Sequence, residues 1–125
     1  MEAKQVVLNF WQQMQNNDWA GASLLLAESF VGFWPQSGEK IIGRDNFVNV
    51  NGNYPVSGRW EFTLNTVVTE NDVVVTDVSV TDGELYARAI TFSTVVAGFI
   101  AEQTEFWPDP MPAAAWRRQW VQLEE

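Results

Sequence analysis

The residues of this chain best suited to moving a proton are its carboxylates. Neither His nor Cys occurs among its 125 residues. That removes the commonest general base, the thiolate nucleophile and the two ligand types on which most zinc sites rest. Ser–His and Cys–His hydrolase arrangements go with them, as does any disulfide framework. No metal and no cofactor is expected. Among the acids, Glu105 stands out. It sits in the run Gly98-Phe-Ile-Ala-Glu-Gln-Thr-Glu-Phe-Trp-Pro108, next to Phe106 and Trp107 and directly before a Pro-Asp-Pro stop. A carboxylate in so apolar a setting is either paired in the interior or aimed into a cavity, since burying an unpaired charge is costly.

The elements that must position it follow from periodicity and turn chemistry. Glu2 to Asn16 reads as an amphipathic helix with Ala3, Val6 or Val7, Phe10 and Met14 at helical spacing. Asp18 is an N-cap for a second helix from Trp19 to about Glu28. Phe30–Trp34 is a short strand, Gln36-Ser-Gly38 a turn, Glu39–Ile42 the returning strand and Arg44–Val50 a third helix. From Gly58 the pattern changes to a meander of four long antiparallel strands, Arg59–Thr69, Val73–Thr81, Glu84–Val95 and Phe99–Trp107. Asp82-Gly83 is the strongest of their turn signals. Helices followed by a meander make an α+β arrangement in a single domain spanning 1–125, with the helices packed on the concave face of the sheet. Ala113–Leu123 is a further segment with helical character.

Composition narrows the partners. The chain is 46% hydrophobic and 18% charged, which suits a packed globule. Seven Trp and eight Phe are enough both to fill a core and to line a concave site. A net charge of -9 disfavours nucleic acid and anionic membrane surfaces as partners. No run reaches transmembrane length and the N-terminus lacks the pattern of a signal peptide, so a cytoplasmic protein is expected.

The order helix, helix, short hairpin, helix, four-strand meander resembles the NTF2-like superfamily, and within it the SnoaL-like members. The residues that carry the resemblance are Phe30-Val-Gly-Phe-Trp-Pro-Gln-Ser-Gly-Glu-Lys-Ile-Ile-Gly43, Gly58-Arg-Trp60, Thr104-Glu-Phe-Trp-Pro-Asp-Pro110 and Trp116-Arg117. The resemblance implies a cone-shaped, curved antiparallel sheet with three N-terminal helices over a central pocket, and a homodimer formed through the outer face of the sheet. It does not imply one chemistry. Where ketosteroid-isomerase-like members carry a Tyr and two Asp, this chain has Phe10, Phe33 or Trp34, and Ile90. Scytalone-dehydratase-like members depend on histidines, which are absent. Asp77, Arg88 and Glu105 are the residue types of the Asp-Arg-Asp set in epoxide-hydrolase-like members, without matching positions.

Strand side chains alternate between faces, so one assigned residue orients its strand. With Ile90 facing the cone interior, Tyr86, Arg88 and Phe92 face it too. The neighbouring strands then add Gln103, Glu105 and Trp107, Asp77 and Ser79, and Trp60 and Phe62. Ile100, Thr104 and Phe106 face outward. The resemblance places Trp34 at the pocket mouth. The ligand-binding lining is thus Trp34, Trp60, Phe62, Tyr86, Ile90, Gln103 and Trp107, over a floor of Glu105, Asp77 and Arg88. Arg88 either neutralises both acids in a buried network or stabilises an oxyanion while one acid serves as general base. Two acids competing for one Arg would leave one with raised proton affinity.

The expected function is binding of a small, largely apolar ligand in this aromatic pocket. Two other functions fit the same residues: a metal-independent lyase, isomerase or hydrolase using Glu105 or Asp77 as acid or base, and a non-catalytic protein-interaction module. Outward Val, Ile and Phe residues on a curved sheet need covering, which is the physical case for a homodimer. Trp116, Arg117 and Trp120 either close over the cup or extend the interface.

Overall fold

Helix α1 (Ala3–Gln15) buries Val6, Val7, Phe10, Trp11 and Met14 along one face, the stripe expected of a helix lying on a sheet. The computed structural model describes residues 1–124. Asn17 ends the first helix with φ 56°, a left-handed conformation that Asn tolerates better than most side chains. Its amide then imitates a strand partner. Nδ2 donates to the Trp60 carbonyl at 2.8 Å, and the Trp60 N–H donates to Oδ1 at 3.0 Å. With the Phe62 N–H donating to Gln15 Oε1 at 2.6 Å, these bonds fasten the end of α1 to the sheet.

Helix α2 (Trp19–Ser23) starts at Asp18, whose Oδ1 accepts from the Gly21 N–H at 2.8 Å. It is shorter than expected. The sequence favours helix as far as Glu28, but the chain turns extended and strand β1 runs over Leu26–Trp34. Pairing overrides propensity there. Ile100 donates its N–H to the Leu25 carbonyl at 2.8 Å, and Leu26 and Phe30 are buried at 0% and 1% exposure.

The remaining elements are β2 (Glu39–Ile42), α3 (Gly43–Asn53), β3 (Glu61–Glu70), β4 (Val73–Thr81), β5 (Tyr86–Val96) and β6 (Phe99–Phe106). They form one curved, open six-stranded sheet in the order β2-β1-β6-β5-β4-β3. Its neighbours are antiparallel except for β1 and β6, which run parallel. This departs from the all-antiparallel expectation. The long excursion through α3 and the meander supplies the connection that a parallel pair requires. The helices cover the concave face. Phe10 meets Trp11 at 5.2 Å and Phe47 of α3 at 5.7 Å between ring centres, and Phe30 meets Phe47 at 6.0 Å. None of the described helices is long and apolar enough to cross a membrane.

The facing of the strand residues differs from expectation on β4, on β5 and at the start of β6. Strand β4 buries Val74, Thr76, Val78 and Val80, and β5 buries Ala89, Thr91, Ser93 and Val95. Asp77, Ser79, Tyr86, Arg88, Ile90 and Phe92 therefore lie on the outer face, not the inner one. The physical reason is volume. The aromatic side chains of α1 come down on these strands, with Trp11 Nε1 donating to Thr76 Oγ1 at 3.2 Å, so only small inner residues fit beneath them. The larger β5 side chains turn outward. Ile100 is also corrected, from outward to fully buried at 0% exposure. An irregularity in β6 pairs Val95 with Ile100 but Thr94 with Glu102, leaving Ala101 as the extra residue of a bulge.

Candidate functional site

Glu105 lies near the end of β6 on the inner face, directly opposite Thr91 of β5. The bulge at Ala101 decides this partner. A regular hairpin from the Val96–Phe99 pair would set Glu105 against Ile90 instead. Trp34 reaches the same point from the end of β1, just before Pro35 breaks the strand. Trp107 follows Glu105 by two residues and shares its face. Its backbone N–H donates to Gln36 Oε1 at 2.5 Å, which ties the end of β6 to the loop after β1.

The carboxyl collects three neutral donors. Both indoles converge on Oε1, Trp34 Nε1 at 3.0 Å and Trp107 Nε1 at 2.9 Å. Thr91 Oγ1 donates to Oε2 at 2.7 Å. Among the described residues no cation forms an ion pair with it. Glu105 keeps some solvent exposure, yet the protein packed around it is dense enough that desolvation dominates. Its proton affinity is raised above the ordinary carboxylate range, chiefly by burial, with the bonds from Thr91, Trp34 and Trp107 pulling the other way. Because two N–H groups already occupy Oε1, Oε2 is the oxygen free to carry a proton, with the Thr91 hydroxyl turning from donor to acceptor.

Of the other residues assigned from sequence, Gln103 lies one step along the same face, 7% exposed, its Nε2 donating to Ser93 Oγ at 3.4 Å. Trp60 and Phe62 are on the inner face as expected, but at the β3 edge, with β5 and β4 between them and Glu105. Phe62 packs against Trp11 at 5.8 Å and Trp19 at 6.2 Å, and Trp60 against Tyr54 at 5.9 Å, so they belong to the core beneath α1 and α2. Tyr86 and Ile90 stand on the outer face. Asp77 and Arg88 stand there too and pair with each other, Arg88 Nε to Oδ1 at 2.5 Å and Nη2 to Oδ2 at 2.8 Å. The hydrogen bond from Arg88 holds Asp77 below its ordinary range. The structure thus brings Glu105, Trp34 and Trp107 together and separates Asp77 and Arg88 from them.

Thr91 and Gln36 are the participants that sequence reasoning missed. Thr91 could have been found from β4. The alternation Val74, Thr76, Val78, Val80 marks its inner face, and cross-strand pairing of Thr76 with Thr91 carries that face to β5. Two surface recesses, of about 220 Å³ beside Asn9, Gln12 and Leu24 and about 510 Å³ beside Glu28 and Arg44, lie away from the Glu105 cluster. They are shallow and show no convergent chemistry.

No protein-family model and no curated protein matches this sequence. Solved structures do match its fold. A candidate ketosteroid isomerase from Kribbella flavida DSM 17836 superposes with a TM-score of 0.90 at 24% identity, covering 98% of this chain and 90% of its own. An NTF-2 like protein of unknown function from Burkholderia xenovorans LB400 gives 0.79 at 24% identity over 98% of this chain and 95% of its own. A candidate SnoaL-like polyketide cyclase from Jannaschia sp. CCS1 gives 0.72 at 16% identity, with 84% of each chain covered. The chain therefore has the NTF2-like fold, in common with the SnoaL-like and ketosteroid-isomerase-like proteins to which it is similar.

Proposed function

We propose that this protein binds a small, largely apolar molecule at the Glu105 end of its concave face, with a polar group of that molecule meeting the Glu105 carboxyl. One observation carries the reading. A half-buried carboxyl is held by Trp34, Trp107 and Thr91 through neutral donors alone, with no described cation to neutralise it. Two indoles offer apolar area and the carboxyl offers a single oriented polar contact, the common composition of a small-molecule site. Arg88 is no part of this site, so an oxyanion-stabilising role for it has no support here.

The raised proton affinity of Glu105 favours a second reading, in which it is the acid or base of a metal-independent lyase, isomerase or hydrolase. Both readings meet the same experiment. The indole N–H resonances of Trp34 and Trp107 report directly on Glu105. Small aromatic alcohols, ketones and amines are titrated into the protein while both are followed. Binding at the proposed site shifts the two together and spares the Trp60 indole; compounds that bind without moving either would refute the site. A compound recovered unchanged marks a binder, and one converted by the wild type but not by Glu105→Gln marks an enzyme.

A further inference from the structure

Among the described residues no cation pairs with Glu105, and the basic side chains are accounted for elsewhere. Arg44 and Arg59 donate to the carbonyls of Leu26 and Gln15, and Arg88 holds Asp77 on the outer face. Lys40 lies over the Phe33 ring at 5.9 Å and Arg117 over the Trp116 ring at 5.6 Å. Lys4 and Arg118 are exposed. The buried polar residues of the sheet, Thr76, Thr91, Ser93 and Gln103, carry no charge.

The bonding around the carboxyl leaves one position open. A carboxylate accepts at about four positions, two on each oxygen. The indoles of Trp34 and Trp107 take both on Oε1, and the Thr91 hydroxyl takes one on Oε2. One acceptor position on Oε2 remains, and the positive charge that a desolvated carboxylate calls for is missing. A proton supplies that charge only with the Thr91 hydroxyl turned around. A cation donating an N–H to Oε2 supplies it with all three bonds unchanged.

The indoles suit such a guest. Each uses its one polar group on Oε1, so what it offers a further partner is its ring, whose face attracts cations. Trp34-Pro35 and Trp107-Pro108 are the same dipeptide, set at the ends of the parallel neighbours β1 and β6. Proline stops strand pairing there. Trp34, Glu105 and Trp107 all keep partial exposure, so the carboxyl is approached from this end of the sheet. A net charge of -9 draws cations towards the molecule.

We propose that the ligand of this site is an organic ammonium ion, with one N–H bonded to Glu105 Oε2 and its apolar part against Trp34 and Trp107. This ligand class rests on the binding reading above, and it makes Glu105 the counter-ion of the guest.

Benzylamine and benzyl alcohol separate charge from shape. Both carry a phenyl ring with a donor one carbon away, but only the amine is a cation at neutral pH. Each is titrated into the wild type and into Glu105→Gln while the indole N–H resonances of Trp34 and Trp107 are followed. Circular dichroism confirms that the variant keeps the fold. Benzylamine is expected to bind the wild type at least about tenfold more tightly than benzyl alcohol. In Glu105→Gln that preference should fall to about threefold or less, the part due to the rings alone. An alcohol that matches the amine while moving both indoles overturns the cation and leaves the binding site standing. If neither compound moves the indoles, the site itself falls and the cation with it. A preference for the amine that survives in Glu105→Gln also overturns the proposal, because the attraction then comes from elsewhere on an acidic surface.

Discussion

At the scale of single residues, Glu105 is governed by what surrounds its two oxygens. Burial raises its proton affinity above the ordinary value of 4.5, so the native state holds that proton more tightly than the unfolded chain does. The sign follows from linkage. Glu105's contribution to stability is complete below the unfolded value and is lost as pH rises through the folded one. Glu105→Gln keeps an acceptor for both indoles and offers an amide N–H to Thr91. The variant is therefore expected to match the wild type at low pH and to become the more stable of the two as pH rises towards 7, measured by urea unfolding. A difference that does not grow with pH would contradict the burial argument. Trp34→Phe removes one donor that favours the charged form, so the Glu105 titration followed through the Trp107 indole resonance should move upward. Arg88→Ala should leave that titration where it is, because Arg88 and its partner Asp77 are on the other side of the sheet. A shift on losing Arg88 would restore the inward register that the structure rejects.

At the scale of elements, α1 both fills the cone and determines which strand faces can point into it. Phe10 is 1% exposed and touches Trp11 and Phe47, so Phe10→Ala should cost about 3–5 kcal/mol by chemical denaturation. Trp11→Phe keeps most of the ring volume but strips the Thr76 hydroxyl of its donor, and should cost about 1–3 kcal/mol. If α1 were a detachable lid, neither loss would approach these values. The turns and most strand limits were legible from Pro, Gly and Asp-Gly signals. The register was not, for two reasons visible in particular residues. Strand β5 carries its larger side chains, Tyr86, Ile90 and Phe92, on the outside, so size misleads about direction. The bulge at Ala101 has no Gly or Pro to announce it and moves the partner of Glu105 by one residue.

At the scale of the whole molecule, the sheet has one face closed by helices and another left open with aromatics on it. Tyr86, Phe92 and Phe106 leave apolar area uncovered on that open face, and Trp116 and Trp120 leave more of it beyond β6. Phe92→Asp should cost about 1–2 kcal/mol by urea unfolding, since the side chain, though 42% exposed, pairs edge to face with Phe106 and stands on an interior strand of the sheet. A cost as large as that of Phe10→Ala would mean that this outer face is packed as tightly as the core.

The sequence by itself determined the kind of fold, because helix stripes, turn dipeptides and the order of elements are local properties that survive without knowledge of the partners. It also singled out Glu105, since a carboxylate between strand residues and Trp107 is anomalous wherever the chain goes. Tertiary structure alone decided what Glu105 touches. Its three donors come from β1, β5 and the residue after β6, brought together by a parallel pairing and a one-residue bulge. Neither feature leaves a mark on the local pattern. The same distinction explains Asp77 and Arg88, whose types suggested a shared site with Glu105. The volume taken by the helix aromatics turned them to the opposite face, where water makes an exposed ion pair cheaper to keep than a buried one.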